Sequence, residues 1–587
     1  MLKKLVILLI LAGCAHSQNT LETQVILADP GAGQTREAHE AKGQKYMITT
    51  QGVYSSKAAK KMFDMGGSIA DAAAAASFVL AVERPQSTGI GGGGFLMYYD
   101  AKKNKGSNPW AYDFREKAPI NAKQDMFLDK DGKVMAKKSI DGIYAAGVPG
   151  MVAGIVDFHH RFGKLPLNTV MAPAIELANK GFKVYPELAK ALEFRAPILG
   201  RFSASKKIFF NKKGEYLKEG DLLIQKDLAT TLSKIAKYGA NGFYKGDVAN
   251  KIIAENQRLG GLLTKEDLQK YNVVVRRPVS STYKDYEVFS MSPPSSGGVH
   301  VVEILNIIEK DNLKEYGPHH PKTIHLVSSA MQASFVDRAR YMGDADFVEV
   351  PVMGLTSKKY AKDVRYTIPE SRALNKMWAG NLDPFLYQKL SVKNEHDETT
   401  HFSIMDGEGN VVASTQTING LFGSGVVVPG TGIVLNNEMD DFSAKAGVQN
   451  LFGAVGSDKN LVEPEKRPLS SMSPTIVFKK GEPLLALGTP NGTRILTCTA
   501  LTILNFIEHE LPLYESVNAV RYHHQWQPDE ILVEKKGLPE KTVKSLMRME
   551  HQLKFEDYGC RIQAVAKNGE TLHGVSDIRG RGYAVGK

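Results

Sequence analysis

The sequence predicts a layered α/β or α+β body in which antiparallel strands lie between layers of helices. Helix-forming stretches fill the region before residue 399, and strand–turn–strand patterns concentrate in the C-terminal third. The chain has 587 residues, of which 43% are hydrophobic and 23% charged. This is an ordinary globular composition, and the chain is long enough to bury a large core.

The helical predictions come from runs of good helix formers, including five consecutive alanines at 72–76. Before residue 399 the predicted helices are 55–64, 68–83, 150–162, 168–180, 227–238 and 323–341. After it they are 493–508 and 540–549.

Three pairs of strands are predicted where short turn sequences separate alternating or apolar runs. They are 401–406 with 411–417 around Gly407-Glu408-Gly409-Asn410, 474–479 with 483–488 around Lys480-Gly481, and 561–567 with 571–576 around Asn568-Gly569. Hairpins of this kind indicate substantial antiparallel pairing.

The N-terminus has the pattern of a secretory signal. Lys3 and Lys4 precede an apolar run at 5–11, which is too short to span a bilayer as a mature helix. Leu11-Ala12-Gly13-Cys14 resembles the lipobox of bacterial lipoproteins, which are cut before a cysteine that then receives lipid. The alternative is an ordinary signal peptide with a chance cysteine.

We therefore expect a signal peptide at 1–13 and a lipidated tether at 14–45, rich in Gln, Thr, Ala and Gly. The lipid on Cys14 would be the only attachment to a membrane. Ala15 follows where an Asp would favour inner-membrane retention, so we expect a periplasmic protein held at the outer membrane.

The charge pattern argues against nucleic-acid binding. The formal net charge is +11, but Lys and Arg are scattered among nearly as many acids instead of forming a stripe. The remaining cysteines, Cys498 and Cys560, could pair in an oxidising compartment. We expect two isolated buried thiols instead, and no metal site, because the Cys and His residues lack metal-ligand spacing.

Two other motifs have plain structural interpretations. Residues 89–94 satisfy G-x-G-x-x-G, but a helix precedes them and a strand follows, which is the reverse of a dinucleotide site. A tight glycine turn with close backbone packing is the better interpretation. The histidine pairs at 319–320 and 523–524 are interpreted as structural.

The remaining candidate for a catalytic motif is Thr399-Thr400-His401, which opens a predicted strand after the polar segment 387–398. On its own, this tripeptide at the start of a strand does not indicate a function. It is followed, however, by a set of further polar motifs: Asn419, Asn436-Asn437-Glu438-Met439-Asp440-Asp441, Arg467-Pro468-Leu469-Ser470-Ser471 and Gly488-Thr489-Pro490-Asn491-Gly492-Thr493-Arg494.

In order and spacing, these segments resemble the small subunit of the γ-glutamyltransferases (γ-glutamyltranspeptidases). The earlier part of the chain resembles the large subunit, and the likeness runs from about residue 46 to the end. Its motifs are Asp113-Phe114-Arg115-Glu116, the glycine run, Pro293-Pro294-Ser295-Ser296-Gly297-Gly298 and His523-His524-Gln525-Trp526.

The resemblance implies a four-layer αββα sandwich of the N-terminal-nucleophile hydrolase type. The precursor would cut itself between Glu398 and Thr399, giving a large subunit, 46–398, and a small catalytic subunit, 399–587, that remain together as a heterodimer. The freed α-amino group, with a pKa near 8, is a base beside the Thr399 hydroxyl. Thr417 would orient that hydroxyl.

The resemblance also assigns the substrate contacts. Arg115, with its bidentate fork, and the hydroxyls of Ser470 and Ser471 would bind the α-carboxylate of a γ-glutamyl donor. Asp441, helped by Glu438 and Asn419, would bind its α-ammonium. The backbone N–H groups of Asn491 and Gly492 would stabilise the oxyanion.

Two residues depart from the family pattern. Asn491 replaces a glycine and accepts positive φ less freely. Phe452, in the lid-like segment 444–460, replaces a common tyrosine, so a hydroxyl contact across the lid is lost. We expect a retained activity with an altered rate or an altered balance of transfer and hydrolysis.

The expected reaction transfers the γ-glutamyl group of glutathione or a related amide to Thr399, and then to water, an amino acid or a dipeptide, without metal or organic cofactor. One alternative is another amidase on the same scaffold, a cephalosporin acylase or a poly-γ-glutamate processing enzyme. Asp441 argues against an acylase, because a substrate without an α-ammonium has no use for it. The other alternative is a non-catalytic envelope lipoprotein, which predicts damage at Thr399, Thr417 or Arg115, and none is seen.

Overall fold

The computed structural model describes residues 25–29, 34–374 and 399–587. The predicted signal peptide, the lipidation site at Cys14 and the segment 387–398 with Glu398 lie outside the described residues. No helix in the described part of the chain combines the length and apolar character that a bilayer-spanning helix needs.

The strands follow the sequence predictions closely where the patterns are local. In chain order they are β1 Glu40–Gly43, β2 Tyr46–Thr50, β3 Gly93–Tyr99, β4 Trp110–Asp113, β5 Phe182–Lys183, β6 Leu222–Leu223, β7 Val274–Arg276, β8 Val279–Tyr283, β9 Tyr286–Ser290, β10 Thr400–Asp406, β11 Val411–Thr417, β12 Thr475–Lys479, β13 Glu482–Gly488, β14 Tyr522–His523, β15 Ile531–Glu534, β16 Leu553–Glu556, β17 Gln563–Asn568, β18 Thr571–Ser576 and β19 Tyr583–Gly586. All three predicted hairpins are confirmed as β10–β11, β12–β13 and β17–β18.

Two large antiparallel sheets form the centre of the molecule. In the described residues one has the strand order β19-β2-β10-β11-β3-β4-β7 and the other β1-β18-β17-β13-β12-β9-β8. Each sheet contains strands from before and after residue 399. A cut before Thr399 would therefore leave both pieces hydrogen-bonded into the same two sheets.

The helices are as follows. They are α1 Arg36–His39, α2 Val53–Asp64, α3 Ile69–Glu83, α4 Ala136–Ile140, α5 Met151–Phe162, α6 Leu167–Lys180, α7 Pro186–Leu199, α8 Ser203–Phe209, α9 Lys226–Tyr238, α10 Asn241–Tyr244, α11 Gly246–Arg258, α12 Lys265–Lys270, α13 Gly297–Ile308, α14 Pro321–Tyr341, α15 Val352–Leu355, α16 Lys358–Thr367, α17 Arg494–Ile503, α18 Leu513–Asn518 and α19 Glu540–Arg548. The predicted helices are confirmed, except that 493–508 is α17 followed by a π-helix at Leu504–Glu508.

Alternating side chains divide the strands between two cores. Along β10, Phe402 and Ile404 pack against the helices that include α2 and α3, whereas Met405 points to the other sheet. The layer between the sheets is filled by residues from both, such as Phe95, Ile476 and Val565. The second sheet packs on a further helical layer that includes α13, α14 and α17. The predicted αββα order is therefore present.

Helix α3 supports the central strands of the first sheet. Ser68 and Asp71 form a capping box at its start, and every residue of the helix is buried. Small alanine side chains allow this close packing. Ser77 on α3 accepts a hydrogen bond of 2.7 Å from Gln416, one residue before the end of β11. The alanine-rich helix thereby fixes the strand that carries Thr417.

The predicted tether extends too far. Residues Arg36–His39 are helical, and Glu40–Gly43 pair with Gly574 and its neighbours in β18 as an edge strand. The body thus begins at or before residue 36, not near 46. The segment lacks apolar periodicity because its strand lies at a sheet edge and is only half-buried, and its partner is more than 500 residues away in the chain.

The expectation of two isolated thiols is also wrong. Cys498 in α17 and Cys560 form a disulfide with Cα atoms 6.7 Å apart. Spacing along the chain did not indicate this, because the partners are 62 residues apart and meet only in the folded structure. Both sulfurs are fully buried.

Candidate active site

Thr399 and Thr417 lie side by side at one end of the two central strands. β10 and β11 pair in a register that places Thr400 opposite Gln416, which puts Thr399 beside Thr417. Their hydroxyl oxygens are 3.3 Å apart. Residues two apart on a strand share a face, so both threonines point, like Met405, into the space between the sheets. Thr417 is therefore within reach to orient the Thr399 hydroxyl.

The glycine run packs directly against this strand end. A Cβ added at Gly92 would lie 2.0 Å from the Thr417 carbonyl oxygen, and one at Gly94 would lie 2.4 Å from that of Thr415. No side chain fits there, so glycine is required by the backbone approach between β3 and β11. The interpretation as a tight glycine turn is confirmed.

His401 is not a base for the nucleophile. Its side chain is fully buried, its Nδ1 hydrogen-bonds the Thr415 hydroxyl at 2.8 Å, and its Nε2 hydrogen-bonds the Ser403 hydroxyl at 3.1 Å. Burial lowers the pKa of His401 to about 3, which keeps the ring neutral. The histidine therefore has a structural role between the sheets.

Arg115 is the centre of a buried charge cluster. It follows β4, and its backbone amide is fixed by the Asp113 carboxylate at 2.9 Å. One terminal nitrogen donates to Glu438 and the other to Asp441, while Nε donates to the Pro468 carbonyl at 3.2 Å. The guanidinium is only 1% exposed, so its donors are held in one orientation.

The acidic side of the cluster carries more carboxylates than the arginine can neutralise. Burial raises the pKa of Glu438 well above its ordinary value, although Arg115 opposes this. Glu116 is also buried, and its carboxyl oxygens accept no hydrogen bond from the described residues, although Arg115 lies 3.9 Å away as an ion-pair partner. Burial raises the pKa of Glu116 to about 7, and its carboxyl interacts with that of Glu438. Both carboxyl groups therefore hold their protons more tightly than an ordinary glutamate does.

Asp441 faces both the arginine and the lid. Besides Arg115, it accepts a hydrogen bond of 3.2 Å from Asn450. Asn450 lies in the predicted lid segment, next to Phe452, whose side chain lines the pocket. Gln525 donates to the carbonyl of Gly453 at 3.3 Å and holds the lid on its other side.

Ser470 and Ser471 line the same pocket as these acids. The Ser470 hydroxyl accepts a hydrogen bond from the Met472 amide at 3.1 Å. The Ser471 hydroxyl accepts one from Arg338 at 3.3 Å. Arg338 lies in α14 and lines the same pocket.

The loop before α17 has the geometry of an oxyanion site. Asn491 and Gly492 have φ values of +110° and +52°, and α17 begins two residues later with Thr493 as its N-cap. In the described part of the chain neither backbone amide donates to another residue. The Asn491 side chain donates to the Tyr558 carbonyl at 2.6 Å. The helix N-terminus adds partial positive charge to these amides.

These groups enclose one pocket of about 340 Å³. The predicted catalytic and substrate-binding residues line it, with the exception of Asn491; they are Arg115, Thr399, Thr417, Asn419, Glu438, Asp441, Ser470, Ser471 and Gly492. Asn419 has φ +73° and donates its amide to the Asn437 carbonyl at 3.0 Å, which leaves its side-chain oxygen as an acceptor. The described residues contain no group of three or more His, Cys, Asp or Glu side chains placed to hold a metal ion.

Sequence reasoning missed three residues of this site. Glu116 belongs to a recognised motif that implies no role for it, Asn450 lies within the lid segment without a motif of its own, and Arg338 belongs to no recognised motif. The sequence does contain a signal for Arg338. Its helix carries polar residues on every side, so some of these polar side chains must be buried if the helix packs inside the protein.

Comparison with known proteins agrees with this geometry. The sequence profile described as gamma-glutamyltranspeptidase matches residues 55–587. The chain belongs to the γ-glutamyltranspeptidase family. It is 42% identical over 546 residues to the glutathione hydrolase proenzyme of Escherichia coli K12, covering 92% of this chain and 91% of that protein. It is therefore an enzyme of a family of N-terminal-nucleophile hydrolases whose nucleophile is a threonine.

Solved structures support the same assignment. The γ-glutamyltranspeptidase of Helicobacter pylori matches with 43% identity and a TM-score of 0.54, covering 58% of this chain and 96% of that one. A cephalosporin acylase from Bacillus halodurans matches with 25% identity and a TM-score of 0.80, covering 96% and 99%. The fold is the αββα sandwich of the N-terminal-nucleophile hydrolases, as predicted.

Proposed function

We propose that the precursor cuts itself before Thr399 and that the new N-terminal threonine transfers γ-glutamyl groups. Donors would be glutathione or another γ-glutamyl amide, and acceptors would be water, amino acids or dipeptides. The observation that carries this proposal is that Thr399 shares one pocket with a buried cation at Arg115 and a buried anion at Asp441. Both relatives named glutathione hydrolase or γ-glutamyltranspeptidase above support it.

The charges of the pocket fit the head group of an α-amino acid. Such a group carries one carboxylate and one ammonium and has no net charge. Arg115 presents a fork for the carboxylate, and Asp441 with Glu438 presents acceptors for the ammonium. In the pocket as described, Arg115 pairs directly with both acids. A zwitterion that enters between them replaces this contact without leaving either charge unpaired, which a singly charged ligand cannot do.

The chemistry at Thr399 is an acyl transfer in two halves. The hydroxyl attacks the γ-carbonyl carbon as its proton passes to the α-amino group, and the negative oxygen is stabilised by the amides of Asn491 and Gly492. The C–N bond then breaks, and the leaving amine takes the proton. Water or an acceptor amine reverses these steps on the resulting γ-glutamyl ester.

Export and anchoring belong to the same proposal. We propose that residues 1–13 direct the chain across the inner membrane and that lipid on Cys14 holds it at the outer membrane. Labelling of cells with a radioactive fatty acid tests this, because Cys14→Ser would abolish label and release the enzyme in soluble form.

The central test uses the precursor without its first fourteen residues. It should separate on a denaturing gel into two bands, with Thr399 as the first residue of the smaller one by mass spectrometry. Thr399→Ala should stay as one band and release no nitroaniline from a γ-glutamyl anilide. Thr400→Val is the matched control, since the buried Thr400 hydroxyl has no partner among the described residues. One uncut, inactive band from the wild-type chain would overturn the proposal.

The acylase alternative is tested in the same assay. A glutaryl anilide keeps the carboxylate but lacks the α-ammonium. If Asp441 binds that ammonium, the wild type should prefer the γ-glutamyl anilide by roughly a hundredfold or more in kcat/KM, as expected for one charge-assisted contact. Asp441→Asn should remove most of this preference. Equal rates on both anilides in the wild type would favour an acylase.

A further inference from the structure

Arg338 is a buried cation in the pocket wall that the proposed chemistry does not yet use. It lies in the last turn and a half of α14 and is 6% exposed. In the part of the chain that the structure describes, it forms no ion pair with a carboxylate. Burial lowers the pKa of Arg338 to about 10, so it stays charged at neutral pH. A buried charge of this kind costs several kcal/mol unless something compensates it.

The nearest acid along the chain does not compensate it. Asp337 accepts a hydrogen bond of 2.6 Å from the Tyr360 hydroxyl. Burial, with Glu303 nearby, raises the pKa of Asp337 to about 8, so its carboxyl is mostly protonated at pH 7. The acid that does interact electrostatically with Arg338 is Asp441, which lines the same pocket and opposes the fall in the pKa of Arg338.

The hydrogen bonds of Arg338 fix the direction of two hydroxyls. A guanidinium has only donors, so each hydroxyl that it contacts must accept. Its Nε donates to Ser296 at 3.0 Å, and Ser296 in turn donates to the Ser470 carbonyl at 2.8 Å. Its Nη2 donates to Ser471 at 3.3 Å. The proton of the Ser471 hydroxyl is thereby left to point elsewhere.

The Ser470 hydroxyl is set in the same way by a different donor. It accepts from the Met472 amide, so its proton is also available for donation. Both serines line the pocket. Two hydroxyls that must donate, next to a positive charge, match a group that only accepts hydrogen bonds. A carboxylate is such a group, whereas an amide or a hydroxyl is not.

We propose that Arg338 is the positioning residue for the α-carboxylate of the donor substrate. It sets the Ser471 hydroxyl as a donor, holds the Ser470 backbone through Ser296, and adds a second positive charge to the pocket wall that contains Arg115. The proposal rests on the γ-glutamyl specificity proposed above. Because Arg115 is paired with Glu438 and Asp441, Arg338 is the cation that gives the pocket its polarity. The carboxylate enters towards Arg338 and the ammonium towards Asp441.

The test compares three anilides that differ only in the head group. The γ-glutamyl anilide has carboxylate and ammonium, the glutaryl anilide has only the carboxylate, and the γ-aminobutyryl anilide has only the ammonium. Arg338→Met should raise KM roughly thirtyfold for the two substrates with a carboxylate, as for one lost charge-assisted contact. The kcat/KM for the γ-aminobutyryl anilide should change by about twofold or less.

Two milder variants keep the test decisive if Arg338→Met does not fold or does not cleave. Arg338→Lys keeps the charge without the fork and should raise KM for carboxylate substrates about fivefold. Ser296→Ala keeps Arg338 and should raise it about threefold. Competitive inhibition of anilide hydrolysis by L-glutamate and by γ-aminobutyrate gives the same comparison for ligands that are not themselves turned over. Only the inhibition constant of L-glutamate should rise.

The outcomes separate the two proposals. A wild type that stays uncut or ignores all three anilides overturns the proposed function. A wild type that cleaves and prefers the γ-glutamyl anilide, with variants that lose activity equally on all three substrates, overturns the positioning role alone. So does an unchanged KM for the γ-glutamyl anilide in a folded, cleaved Arg338→Met protein.

Discussion

At one end of the pocket, buried charged side chains surround the space that we propose for the head group, whereas the proposed oxyanion loop offers backbone amides. The charged end depends on which residues are present, Arg115 and Asp441 above all. The proposed oxyanion end depends on the conformation of one loop at Asn491 and Gly492. The first is held by ion pairs within the pocket, and the second by contacts outside it.

The supports of the oxyanion end are arranged in sequence. The Tyr558 carbonyl accepts from the Asn491 side chain at 2.6 Å and from Arg494 at 3.0 Å. Two residues later, Cys560 is bonded to Cys498 in α17. The disulfide therefore joins the loop between β16 and β17, which contains Tyr558, to the helix that follows the proposed oxyanion loop. The two ends should accordingly fail in different ways.

The largest effect is expected from Arg115→Gln at the charged end. It leaves the buried Glu438 and Asp441 carboxylates without their cation, which costs about 3–5 kcal/mol of unfolding free energy. The kcat/KM for a γ-glutamyl anilide should fall at least about a thousandfold, because the α-carboxylate of the substrate and the side chains of Glu438 and Asp441 all lose their counter-charge. Denaturant unfolding and steady-state rates measure both. Arg115→Lys is the control and should recover part of the stability but little of the activity.

The charged end was the part of the site most open to prediction from sequence. Arg115, Asp441 and Ser470 could be named because their chemistry follows from residue type once the family motifs are recognised. Hairpins such as β17–β18 were likewise predictable, since a turn sequence and alternation lie within a few residues. Arg338 and Glu116 were not, because their roles depend on which groups surround them and how much water is excluded. Neither quantity is local in sequence.

Removal of the disulfide should affect the proposed oxyanion end from outside the pocket. Replacing Cys498 and Cys560 together by Ala removes a cross-link between residues 62 apart. The unfolding free energy should fall by about 2–4 kcal/mol, because the unfolded chain regains loop entropy. The kcat should fall a few-fold as the Tyr558 support loosens, while KM stays the same. A raised KM with unchanged kcat would show that the two ends are coupled. Intact mass under non-reducing conditions confirms the bond in the wild type.

The disulfide also shows what sequence could not supply. Both cysteines lie in apolar surroundings, and burial alone suits a thiol as well as a disulfide. Their proximity arises from the packing of α17 against the sheet, so only the tertiary structure decides between the two. The edge strand Glu40–Gly43 was missed for the same reason, since its pairing partner is supplied by β18.

The third prediction concerns pH and should affect only the charged end. Burial raises the pKa of Glu116 from 4.5 to about 7. The folded protein therefore binds a proton between these values that the unfolded chain has already released. Its contribution to stability is full below about pH 4.5 and is lost as pH rises to about 7, by at most about 3 kcal/mol. Glu116→Gln should flatten this part of the curve of unfolding free energy against pH.

The comparison for Glu116 is a difference between two proteins, because other buried groups titrate as well. His401, whose pKa is lowered to about 3, contributes the opposite slope in both. Subtracting the variant from the wild type removes that term. Equal slopes between pH 5 and pH 7 in the two proteins would refute the raised pKa of Glu116. The cysteine variant should keep the wild-type slope.

The smallest effect is expected at Asn491, where backbone strain and side-chain support act in opposite directions. Its φ of +110° disfavours any residue with a Cβ, and its bond to Tyr558 offsets that cost. Asn491→Ala keeps the strain and loses the bond, so kcat should fall about tenfold, corresponding to about 1–2 kcal/mol. Asn491→Gly loses the bond but relieves the strain, so kcat should fall only about threefold. KM should not change in either, since the head group is bound at the other end. Equal losses of kcat in the two variants would mean that the backbone conformation of Asn491 carries no cost. A glycine variant with a higher kcat than the wild type would mean that the hydrogen bond to Tyr558 holds the loop away from its best geometry.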